Sequence, residues 1–243
     1  MHLFLTDMKQ QNGMWIIDEE RVVYHCVRVL RLKVWDLLEV QDKAIGYRQG
    51  EFVLRRVVRV VSVWPFLSVS IESEEKINCD GSGVCMAVAI PNNSKKLSMI
   101  VQKLTELWVE KIVFWSAEYS QLTVKKIWWK LSKLSTVALE ACEQSRRSHV
   151  PLIVFADDLW KNLEEDENNV LICFDQDGVT GIWWSKEKNQ IVWWIVGPEW
   201  GFSPRDREWL SKIWSRSVSL WKTILRMETA AIVGAWSLVH RFV

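Results

Sequence analysis

The spacing of apolar positions divides the chain into two regimes. Up to about residue 72 the pattern is that of strands. Leu37–Gln41 reads as a strand, Gly46-Tyr-Arg-Gln-Gly50 as a turn, and Glu51–Val63 as a long β-branched run. Trp64-Pro65 interrupts it. Leu67, Val69 and Ile71 then alternate with Ser68, Ser70 and Glu72, the signature of a half-buried strand. A helix is expected over Asp18–Leu32, with Val22, Cys26, Val29 and Leu30 on one side. Short strands separated by turns predict a small barrel over residues 1–72. Ser73–Gly83 is polar, contains two glycines and reads as a linker.

From residue 84 strands and helices alternate. Val84–Ile90 is a continuous apolar run, as in a parallel strand buried on both faces. Leu97, Ile100, Val101, Leu104 and Leu107 form one helical stripe, which Asn93 or Ser94 could cap. Ile112–Trp115, Leu152–Phe155, Val170–Phe174, Ile191–Val196 and Val218–Leu220 read as strands. Lys125–Gln144 and Met227–Val239 read as helices, and Pro204 as the first position of another. This predicts an α/β domain over residues 73–243 with a largely parallel sheet.

Composition narrows the class. No apolar run reaches membrane-spanning length, and the N-terminus does not read as a signal peptide, so a cytoplasmic protein is expected. The formal net charge is +1, so nucleic-acid binding would have to rest on local basic clusters. The five cysteines lack CxxC spacing and read as reduced, buried thiols. The four histidines are scattered, and no metal site is expected. Tryptophan is the anomaly: 17 Trp stand against only 10 Gly, where glycine usually makes up roughly 7% of a protein.

Two segments near the C-terminus carry the candidate chemistry. Each runs from an apolar strand through a loop towards a helix: Ile195–Pro204 and Leu220–Ala231. Loops so close in sequence can form one pocket. Other motifs fail. Trp221-Lys-Thr223 is no phosphate loop, because the required glycine is Arg216. Asp175-Gln-Asp-Gly178 begins like a calcium loop but lacks the later ligands. Gln102, Lys103 and Glu106 share a polar helix face. Arg146 and Arg147 end a helix, where cations either offset the dipole or clamp a phosphate.

Taken in order, five segments resemble the RsmE family, the SPOUT-class methyltransferases of small-subunit ribosomal RNA. They are His25–Arg31 with Val34-Trp-Asp36, Gln102–Val109, Glu143–Arg147, Gly197-Pro-Glu-Trp-Gly201 and Ile224-Leu-Arg-Met-Glu-Thr-Ala230. The resemblance implies an N-terminal PUA-like β-barrel and a C-terminal SPOUT α/β domain with a trefoil knot. It also implies a homodimer, S-adenosyl-L-methionine (SAM) as donor, and methylation at N3 of a uridine in the small ribosomal subunit. The cofactor residues it implies are Leu171, Phe174, Val196, Gly197, Pro198, Glu199, Trp200, Gly201, Leu220, Trp221, Ile224, Leu225 and Arg226. Catalysis falls to Arg226, with Glu228 to orient it and Glu199 to accept the proton or position the base. RNA contacts fall to Arg28, Arg31 and Lys33 on the barrel, and to Lys103, Arg146 and Arg147 on the catalytic domain.

The departures from the family run in one direction. Family glycines are tryptophan at Trp35, Trp108, Trp200 and Trp221, and the family's Ser-Glu-Arg reads Ala117-Glu-Tyr119. Glycine at such sites supplies positive φ or close backbone approach, and tryptophan offers neither. Ordinary divergence would scatter the replacements over many residue types. The hypothesis is that UGA, translated here as tryptophan, is read as glycine in the source lineage. Peptide mass spectrometry of the native protein showing Trp at position 200 would sink it. Two alternatives follow: an RNA-binding protein that has lost SAM binding because Trp200 and Trp221 crowd the pocket, or a methyltransferase of another RNA.

Overall fold

The computed structural model describes residues 1–46, 50–64, 66–159, 163, 169–180, 190–213, 215–220 and 222–242. They form two compact units. One comprises residues 1–80 and 142–150, the other residues 81–141 and 151–243.

The first unit is built on a six-stranded sheet in the order β1-β4-β5-β6-β3-β2. Its strands are β1 (Leu3–Leu5), β2 (Lys9–Gln11), β3 (Met14–Ile17), β4 (Leu37–Gln41), β5 (Phe52–Ser62) and β6 (Leu67–Asn78). All pairs are antiparallel except β1 with β4. Alternation along the strands puts Val58, Val60, Leu67 and Val69 into a core with Phe4, Ile17 and Val22. Strand β6 continues through Ser73–Asn78, so the expected linker is half strand and the expected boundary at residue 72 falls inside an element. The polar run Glu72–Lys76 still pairs because β5 presents Arg55, Arg56 and Arg59 opposite it. Arg56 bonds Glu74 and Arg59 bonds Glu72 at 2.6 and 2.7 Å. The helix expected over Asp18–Leu32 is split. Helix α1 (Glu20–Tyr24) passes into a π-helical turn, His25–Val29, closed by the Leu30 N–H on the His25 carbonyl.

Residues 142–150 complete this unit. Glu143 takes two hydrogen bonds from Arg21 and one from the Leu5 N–H. Behind it Arg147, Ser148 and His149 are buried. Arginine can only donate, so its contact with His149 Nε2 makes that nitrogen the acceptor. Nδ1 then carries the proton and faces Ser148.

The second unit is a six-stranded parallel sheet in the order β12-β10-β11-β7-β8-β9. Its strands are β7 (Val84–Ala89), β8 (Lys111–Trp115), β9 (Leu152–Ala156), β10 (Val170–Thr180), β11 (Val192–Val196) and β12 (Arg216–Ser219). The central pair, β7 and β11, is buried throughout, as continuous apolar runs require. Helices α2 (Lys96–Glu106), α3 (Val124–Ile127), α4 (Leu131–Ser145), α5 (Pro204–Lys212) and α6 (Met227–Phe242) complete the alternation. The stripe read from sequence is the buried face of α2. Its N-cap is Lys95 rather than Asn93 or Ser94, with Asn93 Oδ1 accepting from the Lys95 N–H. Pro204 does open α5, behind a capping box between Ser203 and Asp206. The strand order places β7 and β11 side by side although the chain leaves them in opposite directions. Such a switch point is where open α/β sheets bind ligands, beyond the carboxyl ends of the strands.

Two of the tryptophans at motif glycines occupy glycine-like backbone. Trp35 has φ 79° and Trp108 has φ 66°, a region that disfavours any side chain with a Cβ by about 1–2 kcal/mol. Trp115, Trp193 and Trp194 are buried with no hydrogen-bond partner for their indole N–H, although buried tryptophans usually find one. The Trp194 ring occupies the space of a Cβ at Gly234, so α6 tolerates only glycine there. Backbone and burial therefore extend the anomaly from sequence into structure.

Candidate active site

The carboxyl ends of β10 and β11, the loop after β11 and the segment entering α6 enclose a cavity of about 540 Å³ in the second unit. The loop after β11 turns sharply because the Gly201 N–H bonds the Pro198 carbonyl and Gly201 adopts φ 76°. Gly197 is tightly packed: a Cβ there would meet the Phe202 ring at 3.1 Å, so the ring would have to yield. Trp200, the family-glycine position between them, has neither constraint. It lines the cavity but stays 73% exposed, so its ring stands at the rim and does not fill the space. The crowding expected of Trp200 is not found. Trp221 lies outside the described residues.

The expected cofactor residues mostly converge here. Phe174, Val196, Gly197, Pro198, Glu199, Trp200, Gly201, Ile224, Leu225 and Arg226 all line the cavity. Leu171 does not. It sits near the start of β10, packed against the domain core. Leu220, half-buried just after β12, is not among the lining residues either.

Of the catalytic candidates, Glu199 and Arg226 face the cavity. Glu228, largely buried in the first turn of α6, was expected to orient Arg226. Its hydrogen-bond partner is instead Lys96, whose ammonium lies 3.1 Å from Glu228 and 3.3 Å from Glu199. Burial disfavours charge on Glu228, but a hydrogen bond to its own backbone N–H, Lys96 and the more distant Arg226 charge outweigh this and hold its carboxyl below the ordinary range. Glu199 also faces the Asn92 N–H at 3.2 and 3.3 Å from its two oxygens. Arg226 makes no ion pair among the described residues.

Sequence reasoning missed Lys96, Asp175 and Arg207, which also line the cavity. Asp175 belongs to the segment rejected as a calcium loop. It is buried and held by both guanidinium nitrogens of Arg207. Lys96 carried no motif signal. Only the packing of α2 against α6 reveals it.

The RNA candidates separate. Arg28, Arg31 and Lys33 are exposed on the first unit. Arg146 belongs to that same unit, not to the catalytic domain, and its exposed guanidinium bonds Glu39 at 2.5 Å. Arg147 also lies in the first unit but is only 2% exposed, so as placed it cannot serve as the phosphate clamp expected of it. Lys103 lies on α2 and bonds Glu106 at 2.9 Å.

A parallel α/β domain with a ligand-sized cavity at its switch point, lined by carboxylates and by an arginine without an ion pair among the described residues, has the architecture of a small-molecule-binding enzyme. Comparison with known proteins makes this specific. Residues 81–239 match the family model described as RNA methyltransferase domain. Ribosomal RNA small subunit methyltransferase E of Mesomycoplasma hyopneumoniae is 30% identical over 96% of both chains. A methyltransferase from Legionella pneumophila, solved with SAM bound, superposes with a TM-score of 0.82 at 22% identity, covering 98% of this chain and 95% of its own. The ribosomal RNA small subunit methyltransferase E of Neisseria gonorrhoeae, also bound to SAM, gives 0.79 at 18% identity over 98% and 96%. The chain belongs to the RNA methyltransferase domain family and, within it, to the ribosomal RNA small subunit methyltransferase E family.

Proposed function

We propose that the protein is a SAM-dependent methyltransferase of small-subunit ribosomal RNA, acting at N3 of a uridine. The observation that carries this is the convergence of Val196–Gly201 and Ile224–Arg226 on one cavity in a chain of this family. The cavity fits the cofactor chemically. Val196, Ile224, Leu225 and Met227 offer apolar surface to an adenosine and a thioether chain. Asp175, Asp177 and Glu199 supply negative charge for a sulfonium and an ammonium. When bound, SAM supplies a methyl group already activated by the positive sulfur.

The protein must then align the base and favour its anionic form. Loss of the N3 proton puts charge on the flanking carbonyl oxygens of the uracil. The Arg226 guanidinium, exposed at the cavity and paired to no carboxylate among the described residues, stabilises that charge. Glu199, fixed by Asn92 and Lys96, accepts the proton. Arg28, Arg31, Lys33, Lys103 and Arg146 contact RNA phosphates, which makes binding salt-sensitive. The same reading takes the N-terminal sheet as a PUA-like barrel, the C-terminal domain as knotted and the protein as a cytoplasmic homodimer. Family membership supports these features. No helix among the described residues is long and apolar enough to cross a membrane.

The test is calorimetric titration of SAM into the chain as written and into a version with glycine at positions 35, 108, 200 and 221. Both are expected to bind, since Trp200 stands at the rim of the cavity. The glycine version should also unfold later, by about 1 kcal/mol for each of positions 35 and 108, where φ is positive. Failure of both to bind would leave an RNA-binding protein without methyltransferase activity.

A further inference from the structure

Lys96, Glu199 and Arg226 line one side of the cavity, and Glu228 lies just behind them, bonded to Lys96. How these four pair decides whether an arginine is available to the substrate. Glu228 lies two residues beyond Arg226 at the start of α6 and is largely buried. An ionised carboxylate in that place needs a cation. Arg226 is near enough to lower the Glu228 pKa, yet the hydrogen bond is made by Lys96 from the first turn of α2. The same ammonium reaches Glu199 in the loop after β11. One lysine therefore satisfies the carboxylates of two separate elements. We infer that Lys96 is a positioning residue: its ammonium clamps Glu199 in the cavity wall to Glu228 behind it and so leaves the Arg226 guanidinium free for the RNA base.

The alternative arrangement is physically close. Without the ammonium, Glu228 would keep only the hydrogen bond to its own backbone N–H, and Arg226 is the nearby cation able to take the place of Lys96. A guanidinium turned towards Glu228 would form a charge-assisted pair and be withdrawn from the uracil oxygens. Glu199 would lose its side-chain cation but keep the Asn92 N–H. The principal effect of losing Lys96 is thus exerted through Arg226. It should appear in turnover far more than in SAM affinity, because Lys96 touches the proposed cofactor groups only through Glu199 while Asp175, Asp177 and the apolar lining are unchanged.

This inference rests on the catalytic role proposed for Arg226, and the experiment separates the two. Methyl transfer from SAM to unmodified small ribosomal subunits would be measured for Lys96→Met, Arg226→Ala and the double variant Lys96→Met/Glu228→Gln. SAM affinity would be measured by calorimetry in parallel. Lys96→Met is expected to lower kcat about 30-fold, a coupling of the size seen between contacting charged residues, with SAM affinity within about threefold. Neutralising Glu228 in that background removes the competitor for Arg226, so the double variant should recover most of the lost turnover. A residue needed only for folding would show no such recovery. Should Lys96→Met not fold, Lys96→Gln, shorter but with a neutral hydrogen-bond donor, removes the charge and carries the same expectation. Unchanged kcat in Lys96→Met, or no recovery in the double variant, overturns the clamp while leaving the enzyme assignment intact. Full turnover in Arg226→Ala overturns the role on which the clamp depends.

Discussion

Replacement of Arg226 by alanine is expected to lower kcat by about 10²–10³-fold, the usual loss when one fixed donor to a developing oxyanion is removed. SAM affinity should change little, because the guanidinium faces the cavity without pairing to the groups proposed to hold the cofactor. The reasoning is electrostatic. Charge appears on the uracil oxygens only as the N3 proton leaves, so a donor aimed there stabilises the transition state more than the ground state. A steady-state assay paired with calorimetry reads both quantities. Full turnover with normal SAM binding would remove Arg226 from the mechanism. A joint loss of turnover and SAM binding would make it a cofactor residue.

The second large effect concerns stability. His149 is fully buried beside Arg147, and burial first, then the guanidinium charge, push its pKa down from 6.5 to about 3. Protonation of Nε2 would remove the acceptor of the Arg147 hydrogen bond and set two positive groups against each other. Below about pH 6.5 the unfolded chain therefore binds a proton that the folded chain refuses. Stability from this site is complete above that pH and is lost as pH falls towards 3. At about 1.4 kcal/mol per pH unit, roughly 2 kcal/mol should be gone by about pH 5. Urea unfolding at neutral pH and at about pH 5 measures the drop, and His149→Gln should flatten it. An equal drop in the glutamine variant would place the acid sensitivity elsewhere.

The tryptophan anomaly joins sequence and structure. At Trp35 and Trp108 the backbone adopts the positive φ that favours glycine. At Trp200 the backbone makes no such demand, because Gly201 takes the positive φ and Gly197 the close approach. A motif shows that a glycine is usual at a position. Only coordinates distinguish a glycine needed for its backbone angle from one whose substituent can project outward.

Much of the second unit was legible because its physics is local and periodic. The buried strands β7 and β11 are continuous apolar runs, α2 carries an unbroken stripe, and Pro204 with its capping box marks the start of α5. The first unit was less legible where long-range pairing overrides local pattern. Ser73–Asn78 looks like a linker because it is polar, but it is a strand because β5 lies alongside with arginines to match its acids. Arg147 looks like a surface cation and is buried because residues 142–150 fold back onto the first unit.

The alternation of strands and helices and the two loops that carry Glu199 and Arg226 to the cavity are written in neighbouring residues, as periodicity and motifs. Which charges meet is settled only by packing. Lys96 lies 103 residues from Glu199 and 132 from Glu228 along the chain. No local pattern encodes a contact at such separations. It exists because α2 packs against α6 and brings one ammonium within hydrogen-bond distance of both carboxylates.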